Sequence, residues 1–241
     1  MAETHQEWLA QMESESRAKQ EQFMMGIAGR LGHPRLTNAP PHPFRGAPDF
    51  WKSFEWSSEE RVQHFTDNFE AAGGHVQRLS DMQEVQSFIC SKATELSARY
   101  IIHQNEVELN NLELKEKLED IVVSQWNSGS DEDWIARAAE ADIGIVMADY
   151  AVSHTGSIVV VSSKDKGRSV SLLPTALIAI IPFERLKTRL GEVLIDFDEV
   201  GREQLPAGIH FITGPSRSAD IENDLTIGVH GPGVVFALIV G

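Results

Sequence analysis

Apolar and polar positions change rhythm twice along this chain of 241 residues. Trp8, Met12, Phe23, Met24, Ile27 and Leu31 form a broken apolar stripe at helical spacing, predicting a moderately amphipathic helix that Gly32-His-Pro34 ends. Residues 33–48, with Pro40-Pro41 and Pro43, predict an extended linker. Ser57-Ser-Glu-Glu60 has the spacing of a capping box, in which the first serine oxygen accepts a free backbone N–H and the glutamate reaches back. Val62, Phe65 and Phe69 then share a helical face, and Gly73-Gly74 stops the helix. Trp51, Phe54 and Trp56, just ahead of it, are expected to pack this arm onto the main domain or onto a partner.

From Gly74 the pattern alternates between strands and helices. Strands are expected at His75–Leu79, Arg99–His103, Ile121–Ser124 and Ile143–Met147. Helices are expected after the capping box Asp81–Glu84, with Val85, Phe88, Ile89, Ala93 and Leu96 on one face, and at Leu109–Leu118 and Asp131–Ala139. Further strands read at Ser157–Ser162, Ala176–Ile181, Gly208–Thr213 and Val234–Val240, all in one sheet, while Pro182 suits the first turn of a helix carrying Leu186 and Leu190 on one face. This order predicts an α/β fold: a mostly parallel sheet covered on both faces. Residues 1–70 read as a helical arm with its linker, and residues 71–241 as the α/β domain.

Composition narrows the function. The net charge of −15 argues against nucleic-acid binding, which needs clustered Lys and Arg. The one local basic cluster, Lys164-Asp-Lys-Gly-Arg168, reads as a loop first and an anion contact second. No apolar run approaches the length of a membrane span, and the amino terminus lacks the features of a secretory signal, so a cytoplasmic protein is expected. A single cysteine, Cys90, reads as inert helix core; it excludes an internal disulfide and a self-sufficient cysteine-ligated zinc or iron–sulfur site. His33 and His42 read as loop residues, and no metal site is expected.

Three segments carry candidate chemistry. In the first, a strand runs into a polar turn containing Asp149, Ser153, His154, Thr155 and Gly156, and the next strand starts at Ser157. Small hydroxyl residues beside a glycine let backbone N–H groups approach a ligand, and equally make a tight turn. The second is Gly214-Pro215-Ser216-Arg217-Ser-Ala-Asp220, where a strand, a Gly-Pro turn and a helix start would gather free N–H groups, a helix dipole and a guanidinium around an anion. In the third, His230 and Gly231-Pro-Gly233 reverse the chain, and His230 would join the second segment if the two meet. The motifs GxSxG, HExxH, GxGxxG and GxxxxGK[ST] are absent, so a flavin or NAD site has no support.

Ala141-Asp142, Asp149-Tyr-Ala-Val152, His154-Thr-Gly-Ser157, Ser171-Leu-Leu-Pro174, Ile212-Thr-Gly-Pro-Ser-Arg-Ser-Ala-Asp-Ile-Glu222 and Gly228-Val-His-Gly-Pro232 together resemble the lactate utilization protein C, or LUD-domain, family. The resemblance implies a three-layer α/β/α fold like that of ribose-5-phosphate isomerase and CoA transferases, with a helical N-terminal arm. It implies a part in oxidising L-lactate to pyruvate for growth on lactate, beside A-type and B-type companion proteins that carry iron–sulfur clusters. With one cysteine, this chain would be the non-cluster member, with no cofactor of its own and no catalytic set to carry over. The alternative is a free-standing enzyme or binding protein for a small anionic ligand: a carboxylate, a phosphate or a CoA-type molecule.

Overall fold

The computed structural model describes residues 5–35, 37–38, 54–218 and 225–241. The predicted linker prolines Pro40, Pro41 and Pro43, together with His42, Trp51, Asp220 and Glu222, lie outside the described residues. Two compact units result, Met1–Lys52 and Ser53–Gly241. The first holds helix α1, His5–Leu31, as the apolar stripe predicts. Trp8, Met12 and Phe23 of that stripe are exposed.

In the second unit the elements follow in order: α2 Ser58–Ala71, β1 His75–Leu79, α3 Met82–Glu95, β2 Tyr100–His103, α4 Val107–Asn110, α5 Leu114–Lys117, β3 Val122–Gln125, α6 Trp134–Glu140, β4 Ile143–Met147, β5 Tyr150–Val152 and β6 Ser157–Val161. Then come α7 Ser169–Leu172, β7 Ala176–Pro182, β8 Leu186–Lys187, α8 Leu190–Val200, β9 Ile209–Ile212, β10 Arg217–Ser218, β11 Thr226–Ile227 and β12 Val234–Val240. Both expected capping residues cap their helices, but the box is reciprocal only at Ser57, since Glu84 reaches Ser80 N and not Asp81 N. Ser57 and Glu60 close a reciprocal box on α2, and Asp81 accepts from Gln83 N and Glu84 N on α3 while Glu84 accepts from Ser80 N.

Six strands form one sheet in the order β1-β12-β7-β4-β2-β3, and every pair in it is parallel. Each strand alternates its apolar residues between two cores. Leu177, Ala179 and Ile181 of β7 face one core, with Phe65 and Phe69 of α2, while Ala176, Ile178 and Ile180 face the other, with Val85 and Ile89 of α3. A parallel sheet must be covered on both faces, and this double burial explains the nearly unbroken apolar runs of β2, β4 and β7.

Four expectations change. Ser157–Ser162 and Gly208–Thr213 do not join the main sheet; β6 and β9 pair antiparallel in a second sheet, ordered β8-β5-β6-β9. Alternation of apolar residues identifies a strand but not its neighbour. The helix expected over Leu109–Leu118 is two short turns, α4 and α5, because Glu113 between them adopts a positive φ of 46°. Pro182 opens no helix: β7 extends through it, a single 3-10 turn at Phe183–Arg185 follows, and α8 starts only at Leu190. Arg217 sits in a two-residue hairpin with Thr226-Ile227, not at a helix start.

Phe65 and Phe69 stack with ring centroids 5.4 Å apart and are fully buried. Replacing Phe69 with alanine is expected to cost about 3–5 kcal/mol, read as a shift in the urea unfolding midpoint at unchanged slope.

Candidate functional site

The sequence-predicted residues separate into two places. The larger group surrounds the C-terminal turn of α2. Asn68 Nδ2 donates to the carbonyls of Ser153 (2.8 Å) and His154 (3.2 Å), fixing the turn that joins β5 to β6. Gly156 in that turn has φ +58°, and a Cβ there would lie 2.7 Å from backbone atoms of Asn68 and Phe69. Thr155 Oγ1 donates to Ser157 Oγ at 2.8 Å, and Ser157 Oγ lies 2.7 Å from Thr213 Oγ1, so these hydroxyls satisfy one another. The exposed His154 ring packs edge-on against Phe54, centroids 5.2 Å apart, and the Trp56 ring lies 6.0 Å away. Phe54 and Trp56 of the aromatic cluster expected ahead of α2 thus lie against this turn.

The second segment meets the same helix end. Gly214 has φ +78°, and a Cβ would lie 2.7 Å from Ala72 O. Pro215 follows in the turn, buried. Arg217 Nη2 donates to Ala72 O, one of the carbonyls that a helix terminus leaves without an intrahelical partner. The guanidinium expected to hold an anion is occupied in part by the protein backbone. The third segment does join the second: Ser216 N donates to Pro232 O at 2.9 Å, Gly228 N donates to Ser216 O at 3.0 Å, and His230 N donates to Ser216 Oγ at 3.2 Å. His230 and Gly231 line a cavity of about 600 Å³ with Leu172, Pro174, Thr175 and Val229. That cavity lies beside Thr175 and Gly233, at the amino ends of β7 and β12, whereas ligands of open α/β sheets collect at the carboxyl ends.

Asp149 belongs to the second place. It follows β4 directly, at the opposite end of the β5–β6 hairpin from His154. Its Oδ2 accepts from Val161 N at 2.7 Å, and its Oδ1 lies 2.7 Å from Lys166 Nζ. Lys166 also stands 3.4 Å from Glu106 Oε1. Glu106 comes just after β2, and Gln104 between them is fully buried, with Oε1 accepting from Met147 N at 3.0 Å. The loop that carries Lys166 is pinned to this corner: Asn105 N donates to Asp165 O at 2.9 Å, and Trp126 Nε1 donates to Lys164 O at 3.2 Å. Burial pushes the Glu106 carboxyl above the usual carboxylate range, outweighing the nearby Lys166 ammonium.

Glu106 and Gln104 were not among the residues singled out from the sequence, and Lys166 was read only within the basic loop Lys164–Arg168; 60 positions separate Glu106 from Lys166 and no motif links them. The usable signal was positional. Gln104 and Glu106 follow the carboxyl end of β2 and Asp149 that of its neighbour β4, where an open sheet has room for a ligand. Among the described residues, no group of three or more His, Cys, Asp or Glu is arranged to hold a metal ion. Cys90 is partly buried in α3, where desolvation raises its thiol pKa and leaves less thiolate.

Two packed sheets, one wholly parallel and buried on both faces, with glycine turns closed on a helix end, define an α/β domain of specific construction. Residues 62–240 match the LUD domain, and the chain belongs to that family. It is 36% identical over 217 residues to Lactate utilization protein C of Halalkalibacterium halodurans, spanning 89% of this chain and 94% of that one. It is 32% identical over 222 residues to Lactate utilization protein C of Bacillus subtilis, spanning 88% and 92%. A crystal structure of a DUF162 family protein from Deinococcus radiodurans superposes with a TM-score of 0.58 at 20% identity, covering 77% of this chain and 99% of that one, and shares the fold. No helix among the described residues is long and apolar enough to cross a membrane.

Two outcomes follow from this geometry. Gly156→Ala is expected to destabilise by about 1–3 kcal/mol through strain, whereas Arg217→Ala, losing one partly exposed hydrogen bond, costs about 1 kcal/mol or less; paired urea titrations measure both. Burial holds the His103 imidazole below the ordinary histidine value of 6.5, so the unfolded chain takes up a proton that the folded chain refuses. Stability should therefore fall as the pH drops from about 7 to about 5, and His103→Gln should flatten that slope in unfolding curves recorded across the range.

Proposed function

We propose that this chain acts in lactate utilization, as the non-cluster member of a system that oxidises L-lactate to pyruvate beside iron–sulfur companions of A and B type. The observation that carries the reading is near full-length similarity to proteins named Lactate utilization protein C, 36% identical over 217 residues in one case. The one cysteine supports it, since a cluster held by four cysteines needs ligands this chain does not supply. Electron transfer through clusters then belongs to the companions, and this chain contributes a binding or assembly surface.

A second reading, a free-standing binding protein or enzyme for a small carboxylate, phosphate or CoA-type ligand, is favoured by the cavity that His230 and Gly231 line. In that reading the turns Thr155–Ser157 and Gly214–Arg217 hold the ligand's surroundings in shape.

Deleting the gene should abolish growth on L-lactate while leaving growth on pyruvate intact. The tagged chain pulled down from lactate-grown cells should bring iron-containing proteins with it. Normal growth on L-lactate in a strain without a paralogue would sink the first reading, and recovery of the chain alone, free of iron-containing partners, would favour the second.

A further inference from the structure

Two buried polar atoms at the carboxyl end of the main sheet have no partner: Glu106 Oε2 and Gln104 Nε2. Folded proteins rarely leave such groups unmatched, and those that persist call for an explanation. Both side chains reach toward the end of β4, Gln104 through Met147 N and Glu106 through Lys166, whose Nζ holds Asp149. This corner is also where the strand order reverses. From β2 the chain crosses to β3 on one side, and from β4 it proceeds to β7 on the other. The crevice between two such strand ends is the place where an open α/β sheet has room for a ligand.

An open cleft lies beside this corner. Asp149 lines an open cleft of about 460 Å³ with Tyr150, Glu184, Arg185, Lys187 and Phe197. Arg185 is fixed at its wall, donating to Ala148 O at 2.6 Å. Within the corner, Asp149 already balances Lys166, so one further negative charge needs one proton to accompany it. Glu106 is the group able to carry that proton: its desolvation opposes the charged form, Asp149 and Glu108 add to that effect, and Lys166 alone works against it. A protonated carboxyl is a hydrogen-bond donor, as is the Gln104 amide nitrogen.

We propose that the crevice at the ends of β2 and β4 is a binding site for a small carboxylate, whose two oxygens are met by Glu106 Oε2 and Gln104 Nε2 and whose charge is received beside Lys166. The site lies away from the turns around α2, and the inference does not rest on the lactate reading.

The test is calorimetric titration of the purified full chain with L-lactate, pyruvate and acetate, with inorganic phosphate as the comparison anion. Each is run at neutral pH in two buffers of different ionisation enthalpy. At least one carboxylate should bind with uptake of about one proton, and phosphate should bind more weakly. Lys166→Met should weaken binding roughly tenfold or more, while Glu106→Gln, which keeps an N–H donor, should still bind but without proton uptake. Circular dichroism checks that Lys166→Met is folded; if it is not, the loss of proton uptake in Glu106→Gln carries the test alone. Absence of heat with all three carboxylates, phosphate binding as tightly as they do, wild-type affinity in folded Lys166→Met, or unchanged proton uptake in Glu106→Gln would each overturn the proposal. None of these results bears on the growth phenotype, so the two readings fail independently.

Discussion

The close approach of the C-terminal turn of α2 to the glycines that face it is the constraint on which the domain's arrangement depends. Gly156 and Gly214 let backbone lie against Asn68, Phe69 and Ala72 where any side chain would collide. Asn68 and Arg217 then satisfy carbonyls on both sides of the contact. Because the helix is held this tightly, Phe65 and Phe69 can fill the core that the main sheet and the second sheet share. The motif residues of two distant segments therefore gather around one helix end for reasons of packing, and their identity follows from space and hydrogen bonding before any ligand is considered.

The carboxyl end of the sheet is built on the opposite logic. Its polar residues are imported into a buried corner and only partly matched there. Glu106, Lys166 and Asp149 make a compact charge group in which desolvation, not pairing, dominates the behaviour of Glu106. A protein that needed only stability would gain by replacing such a group with apolar residues of similar volume.

Much of the fold was legible in the sequence, and the illegible parts have physical causes. The mostly apolar runs of β2, β4 and β7 and the capping residues Ser57 and Asp81 are local signals, and local signals survive. The partner of a strand is not local: nothing in Ser157–Val161 distinguishes a place in the second sheet from one in the first. Left-handed backbone at a non-glycine residue, as at Glu113, carries no compositional mark. The glycine turns, Asp149 and the basic loop Lys164–Arg168 were each legible in the sequence, but which charges meet was not. Glycine motifs lie contiguous along the chain, whereas Glu106 and Lys166 meet only after the crossovers are made.

The strand order has a bearing on how the domain comes into being. Among the described residues β1 pairs only with β12, and β12 is also the neighbour of β7. During synthesis on the ribosome β1 emerges early, yet its docking edge is made 161 residues later, at His75↔Phe236 and beyond. Contacts so distant in sequence are slow to form, and a chain emerging at several residues per second must hold β1 and the unfinished edge of β7 exposed until the last strand arrives. β12 thus acts as a latch that closes last, and nascent chains halted before it would present two open parallel edges to chaperones and to one another.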